Sequence, residues 1–328
     1  MNYKISVIVP AYNAERTIGK TIQSVLEQTH QNLEIIVVND GSSDGTVDVV
    51  KSIQDERINI YNHSNSGVSA SRNRGIDYSS GNFLAFIDSD DLWSDDKLER
   101  QLQALLQDKS AGVAYSWTVF MHDSGEETHF VQGAQVRYEG YVFPKLLESN
   151  FVGSGSNILV RRDAIRDIRF TVGLEAVEDY DFCLRLAKSW NYVVVPKNQI
   201  IYRKSPGSIS SKIDRMEGQY LRLVEITYQS IVPENLMYLK KTSKSYMYRY
   251  IAELYLSGTR SKANLRLSLA KLLKAIWIKP DIVFEYYTRL MFLILLVKAT
   301  IPNRLLDLLV NYRRNKSLQD LRVIQESQ

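Results

Sequence analysis

Short β-branched apolar runs alternate with helix-period segments through the first third of the chain, and this alternation restricts the fold more than any other feature. Residues 4–9 (KISVIV) end at Pro10, and 33–38 (LEIIVV), 58–61, 83–87 (FLAFI) and 112–116 repeat the theme. Between the first two runs, residues 15–28 place Ile18, Ile22, Val25 and Leu26 at helical spacing. Further helices are expected near 46–54, 68–78 and 95–107. Strands that read as continuous apolar runs are covered on both faces. Four alternations therefore predict an α/β fold with a mostly parallel, doubly wound sheet. Residues 117–131, with Ser124-Gly125 at their middle, read as a hairpin. Beyond residue 211 the pattern is helical almost throughout, and Ser205–Ser211 (SPGSISS) reads as a loop. Two domains are expected: residues 1–210, and an all-helical extension at 211–328.

Composition excludes several classes. A single cysteine, Cys183, rules out a disulfide framework and any multi-cysteine metal centre. The four histidines, His30, His63, His122 and His129, lack the spacing of a histidine-built site. Residues 1–210 carry 21 Lys and Arg against 27 Asp and Glu, whereas residues 211–328 carry 20 against 10. A basic third can meet nucleic acid or an anionic membrane face, but no zinc-finger spacing or RNP-type strand is present, so no nucleic-acid partner is expected. The apolar run before Pro10 is too short for a secretory signal, and the longest uncharged one, Leu290–Val297, is too short to span a bilayer. A cytoplasmic protein is expected, at most peripheral at the inner face of the cell membrane.

In open α/β sheets ligands bind beyond the carboxyl ends of the strands. After the first strand comes Pro10-Ala11-Tyr12-Asn13, with neither GxGxxG nor GxxxxGK[ST] in the chain, so a dinucleotide site and a P-loop both lose support. Tyr12 alone could equally be core. After the second strand, Asn39–Thr46 (NDGSSDGT) reads as a tight turn with a helix cap. After the fourth, Asp88-Ser89-Asp90-Asp91 sets three carboxylates in four positions. A cap uses one of them, and three repel unless a cation is shared. Acidic side chains at i and i+2 can face a hard divalent cation and its phosphate-bound oxygens. Asp91 is expected to cap the helix that follows. Glu178-Asp179-Tyr180-Asp181 opens another helix, where the macrodipole favours acids, and Asp181 is expected to serve there as a cap.

Together these segments resemble the family 2 glycosyltransferases, the inverting group with the GT-A fold. The matching elements are Val7–Asn13 (VIVPAYN), Val38–Thr46 (VNDGSSDGT), Gly67–Gly75 (GVSASRNRG), Phe86–Asp91 (FIDSDD) and Glu178–Leu186 (EDYDFCLRL), in the family's order over about residues 3–210. The resemblance implies metal-dependent, inverting transfer of a sugar from a nucleoside-diphosphate donor to a saccharide or lipid-linked saccharide acceptor, in surface-polysaccharide or glycolipid assembly. It implies a nucleotide-sugar site containing Pro10, Tyr12 against the base, Asp40 at the base's imide edge, Asn73 in a supporting segment, and Asp88 and Ser89 near the ribose. Asp90 would ligate Mn²⁺ or Mg²⁺, and Asp179 would be the catalytic base. Arg72 or Arg74 could reach a phosphate, with at least one expected to face solvent.

The chemistry accounts for these residue types. Breaking the sugar–diphosphate bond builds negative charge that a divalent ion stabilises. An acceptor hydroxyl is a poor nucleophile unless a carboxylate takes its proton. One departure from the family's pattern is Ser205, which stands where a histidine is common; a hydroxyl is a weaker metal ligand than imidazole. Lys204 beside it could supply positive charge to the diphosphate. Variable loops over about 117–157 would choose donor and acceptor. Residues 277–316, with Trp277, Lys279, Tyr286, Tyr287, Arg313, Arg314 and Lys316, fit a helix lying in a membrane interface, or else a bundle or a homo-oligomer contact. Two other functions compete. A sugar nucleotidyltransferase would need a glycine-rich basic loop where Pro10–Asn13 stands. A non-catalytic nucleotide-sugar-binding or scaffold protein would have no need for both Asp90 and Asp179.

Overall fold

The computed structural model describes residues 3–123, 128–204, 213–257 and 261–301. The chain divides into two compact units, residues 1–243 and 244–328. The first unit opens with β1 (Ile5–Ala11), α1 (Ile18–Leu26), β2 (Leu33–Asn39), α2 (Thr46–Ser52), β3 (Ile58–Asn62), α3 (Val68–Tyr78) and β4 (Phe83–Phe86). β1 pairs in parallel with β2 and β4, and β2 with β3. The alternation along β1 explains the continuous apolar run. Val7 and Val9 join Ile18, Ile22 and Val25 in one core, while Ile8 joins Ile76, Leu84 and Phe86 in the core on the other face. Pro10 costs no ladder bond toward β4, because that pairing ends at Ile8 opposite Phe86.

The unit continues through β5 (Leu92–Trp93), α4 (Lys97–Gln107), β6 (Ala111–Asp123), β7 (Thr128–Gln132), α5 (Phe143–Glu148), β8 (Leu159–Arg161), α6 (Glu178–Ala187), β9 (Asn191–Lys204) and α7 (Ile213–Ser230). The sheet order is β3-β2-β1-β4-β8-β6-β9-β5, with β7 added on β6. β8 runs antiparallel between β4 and β6, and β5 antiparallel to β9, so the sheet is mostly parallel with a mixed half. β5 and β8 have no counterpart in the sequence reading, and the strand expected at 112–116 extends to Asp123. The expected hairpin is present, with Asp123 opposite Thr128; its Ser124-Gly125 tip lies outside the described residues. The expected loop at 205–211 lies outside them too. Leu223, Val224 and Tyr228 of α7 enter the core that contains Phe182, so the compact unit extends past the boundary expected at residue 210.

The second unit holds α8 (Lys240–Ser257) from Lys244 onward, α9 (Lys262–Ile278) and α10 (Tyr286–Thr300). Ala252, Leu256, Leu272, Met291 and Leu295 form its core. Ser261 caps α9 by accepting the Asn264 N–H at 3.0 Å. Among the described residues no helix is long and apolar enough to cross a membrane.

α3 packs closely on β1 through Gly75. A Cβ at Gly75 would lie 2.4 Å from Cγ2 of the fully buried Ile8. Gly75→Ala should therefore cost about 1–3 kcal/mol by overpacking. Ile8→Ala alone should cost ~2–5 kcal/mol. Urea titration of the double variant should show a loss smaller than the sum, because the missing branch makes room for the new methyl.

Candidate active site

The parallel register brings the ends of β1, β2 and β4 to one edge, with Ala11 opposite Asn39 and Ile8 opposite Phe86. Tyr12 follows β1 directly and is 55% exposed, which removes the core reading. Its loop is tied to the segment after β2. Asn13, at φ 48°, donates its N–H to Ser42 Oγ at 3.0 Å and accepts from the Ser43 N–H at 2.9 Å. Thr46 Oγ1 accepts the Ala14 N–H at 2.7 Å. The NDGSSDGT segment thus fixes the backbone that carries Tyr12. Asp40 is buried, and its two oxygens accept the N–H groups of Ser66 at 2.9 Å and Gly67 at 2.8 Å. Arg74 reaches the same carboxylate at 3.5 Å. Asp40 therefore anchors the loop entering α3, with lone pairs left over for a ligand.

Arg72, offered by the sequence with Arg74 as a phosphate contact, is committed to carboxylates of the protein itself. It is 2% exposed rather than solvent-facing. Its Nη2 donates to Asp88 Oδ1 at 2.6 Å and its Nη1 to Glu178 Oε1 at 2.9 Å. Its guanidinium carbon lies 5.1 Å from the Phe170 ring centroid. Burial opposes the guanidinium charge, and Asp88, Glu178 and Asp179 outweigh that effect. Arg72 thereby joins the acidic strand end to the start of α6. Asn73 spends its amide on Phe170, donating to the backbone oxygen at 2.9 Å and accepting from the N–H at 2.8 Å. It holds the segment leading to α6; support is its role here.

A single turn of 3-10 helix, Gly155–Asn157, links both sides of the site. The Gly155 N–H donates to Asp179 Oδ2 at 3.1 Å. Ser156 Oγ donates to Asp91 Oδ2 at 2.6 Å and accepts the Asp88 N–H at 3.0 Å. Asn157 is locked to the backbone of Ser116 and Val152. A Cβ at Gly155 would meet Arg72 Nη2 at 3.4 Å and Asp179 Cβ at 3.7 Å, so the turn lies directly against both groups.

Two expected caps take other roles. Asp91 precedes β5, not a helix, and Asp96 stands at the N-cap of α4. Asp91 is buried, accepting from Ser156 Oγ and from the Arg203 N–H at 3.2 Å. Asp181 lies within α6, where its Oδ2 accepts from Thr171 Oγ1 at 2.7 Å and from Arg185 Nη2 at 2.7 Å. It braces the preceding loop. Local sequence rules favoured caps because the true partners of Asp91 are distant in sequence. Ser89 accepts Thr21 Oγ1 through its backbone oxygen at 3.0 Å, and its side chain is partly exposed. Arg203 Nε donates to the Asp90 backbone oxygen at 3.0 Å. Lys204 lies over the Phe120 ring at 4.6 Å, and Ser205 falls outside the described residues.

Burial raises three of these carboxyl groups. Asp179 is pushed up to about 7 by burial and by Glu178, against the pull of Arg72. Asp90 is pushed up to about 6 by burial and by Asp88, with Arg203 pulling the other way. Burial with Asp88 and Asp90 carries Asp91 well above the usual carboxylate range. Such an edge is short of positive charge, and a divalent cation would relieve it. Among the described residues no three His, Cys, Asp or Glu side chains gather to hold a metal by themselves. The donor set therefore fits a hard cation that takes Asp90 and completes its shell with water and phosphate oxygens.

Arg72→Met should cost about 3–5 kcal/mol in chemical denaturation, since it strands two carboxylates. Arg72→Lys should recover only part, because one ammonium cannot fork to both. Asp179 supplies a second expectation. Its folded-state value lies above the unfolded one, so the folded protein loses stability as pH rises from about 4 through about 7. Asp179→Asn should flatten that decline, leaving the variant more stable than the parent at pH 8 by thermal unfolding.

Sequence comparison matches residues 6–169 to Glycosyl transferase family 2. The chain is 33% identical over 223 residues to WfgD of Escherichia coli, a UDP-Glc:alpha-D-GlcNAc-diphosphoundecaprenol beta-1,3-glucosyltransferase, covering 67% of this chain and 85% of that one. It is 31% identical to TuaG of Bacillus subtilis, a putative teichuronic acid biosynthesis glycosyltransferase, over 63% of this chain and 81% of the other. Among solved structures, S. aureus TarS 1–349 in complex with UDP-GlcNAc superposes with a TM-score of 0.61 at 19% identity, over 85% of this chain and 82% of that chain. The mannosyltransferase PcManGT from Pyrobaculum calidifontis, in complex with GDP-Man and Mn2+, gives 0.57 at 16% identity, over 90% and 85%.

Proposed function

Given that the chain belongs to glycosyl transferase family 2 and is thereby a glycosyltransferase of the GT-A fold, we propose that it transfers a sugar with inversion from a nucleoside-diphosphate donor to a hydroxyl acceptor. The observation that carries this reading is the pairing of Asp88 and Glu178 through one buried Arg72. That bridge sets a donor-side aspartate cluster and a base-side carboxylate at a fixed relation.

Each residue has a distinct task. Tyr12 offers an exposed ring for a nucleobase to stack on, and Pro10 stiffens the strand end that carries it. Asp40 presents a carboxylate to the base's N–H edge while holding the α3 loop. Asp88 and Ser89 stand on the ribose side. Asp90 would hold the divalent ion, which supplies Lewis-acid stabilisation of charge on the departing diphosphate. Asp179, tuned toward neutrality by burial, accepts the acceptor hydroxyl's proton as the oxygen attacks the anomeric carbon. Attack from the face opposite the diphosphate inverts that centre. Gly155 holds Asp179 in place, and Asn73 and Arg72 position the elements without touching substrate. Residues 1–210 would carry this chemistry, with 211–328 outside it.

The acceptor is proposed to be a saccharide on a lipid carrier, in surface-polysaccharide or glycolipid assembly. Support comes from WfgD, whose name specifies a diphosphoundecaprenol-linked acceptor, and from TuaG, named for teichuronic acid biosynthesis.

Asp179→Asn should lower the transfer rate ~10²–10⁴-fold while donor affinity barely changes. In the parent enzyme kcat/KM should rise with pH and level off above about 7, as Asp179 loses its proton. Near-normal turnover in the Asn variant would place the base elsewhere. Separately, Asp90→Asn should abolish the Mn²⁺-dependent gain in melting temperature given by a nucleoside diphosphate. Undiminished gain would remove Asp90 from the metal.

A further inference from the structure

The second unit carries an exposed aromatic surface of its own. α9 and α10 are joined by a 3-10 turn, Pro280–Phe284. Three aromatic side chains crowd this joint: Trp277 in the last turn of α9, Phe284 in the connection, and Tyr286 at the start of α10. They are 82%, 77% and 75% exposed. Isolated exposed aromatics are ordinary, but here three highly exposed ones fall within ten residues of one helical joint. Leu273 and Leu269 are also exposed, one and two turns before Trp277 on the same face of α9.

The joint is built rather than frayed. Ile282 is fully buried, the Lys279 N–H caps onto the Ala275 oxygen at 3.1 Å, and the Glu285 N–H donates to the Ile282 oxygen at 3.0 Å. The aromatics are therefore held outward by packing beneath them. Charge around the joint is one-sided. Residues 261–301 contain seven Lys and Arg, namely Lys262, Arg266, Lys271, Lys274, Lys279, Arg289 and Lys298, against only Asp281 and Glu285. Both acids are engaged internally, Asp281 with Lys279 at 2.6 Å and Glu285 with Tyr246 at 2.7 Å and with Arg249.

Trp and Tyr concentrate at membrane–water interfaces because their rings are apolar and their edges polar. Basic residues nearby add attraction to anionic headgroups. We infer that the α9–α10 joint docks on an anionic membrane surface, with Trp277, Phe284 and Tyr286 entering the headgroup region and the flanking cations facing lipid phosphates. The anchor is a rigid aromatic tip, narrower than the 277–316 stretch suggested by the sequence, of which 302–316 lie outside the described residues. It does not depend on the glycosyl-transfer reading.

The full chain would be floated with phosphatidylcholine vesicles that contain or lack phosphatidylglycerol, at low and high salt. Binding should require phosphatidylglycerol and weaken as salt rises. Brominated lipids should quench Trp277, identified by comparison with Trp277→Phe, which should still bind. The triple variant Trp277→Ser, Phe284→Ser, Tyr286→Ser removes only exposed side chains. It should fold normally, transfer sugar to a water-soluble acceptor as the parent does, and partition roughly tenfold or more weakly. Equal partitioning of parent and triple variant would overturn the inference. So would a parent that ignores the vesicles, including one that elutes as a dimer and becomes monomeric in the triple variant; that result would make the patch a contact between copies.

Discussion

A guanidinium inside a protein is tolerable only where carboxylates meet it, and Arg72 meets two that arrive from opposite ends of the catalytic region. Asp88 belongs to the end of β4, Glu178 to the start of α6, and Arg72 itself to α3. The three elements are held in one arrangement because separating any of them would leave a charge buried without its counterpart. The bridge still leaves the edge acidic. Asp90, Asp91 and Asp179 all lie nearby with raised values, and the buried Arg72 is already committed to Asp88 and Glu178. An edge with that balance is one where added positive charge would lower the cost of keeping the carboxylates ionised.

Legibility in the sequence followed the range of the interactions. β1, β2 and β4 are buried on both faces, so their β-branched and apolar runs announced them, and the parallel half of the sheet was readable. β5 and β8 are two and three residues long, and no periodicity can show in so short a span. Tyr12, Asp88, Asp90 and Asp179 stood out in the sequence because their motifs sit at strand and helix ends. Arg72 did not stand out as buried. On its own sequence it is one arginine in a polar helix, and the acids that make its burial tolerable lie 16 and 106 residues away. Asp91 and Asp181 show the complementary error. Capping rules weigh only neighbours along the chain, whereas Ser156 and the Arg203 backbone claim Asp91 from 65 and 112 residues away.

Asn73 and Asp40 show that motif residues also hold up the backbone around them. Asn73 uses both ends of its amide on the Phe170 backbone, which places a ring stacked on Phe182 at 4.1 Å and edge-on to Phe86 at 5.1 Å. That aromatic group lies under Arg72 and lowers its access to water. Asp40 likewise spends hydrogen bonds on the loop at Ser66 and Gly67. Positions such as these shape the site by fixing what surrounds it.

The short turn Gly155–Ser156–Asn157 has a consequence for how far a single change can spread. Gly155 holds the Asp179 carboxylate, Ser156 holds the Asp91 carboxylate and the Asp88 backbone, and Asn157 is bolted into the sheet. A substitution in this turn would disturb the settings of Asp179, Asp88 and Asp91 together, so none of the three can be adjusted alone from here. The turn acts as a gauge block: three residues keep one spacing between the strand end at Asp88 and the helix start at Asp179.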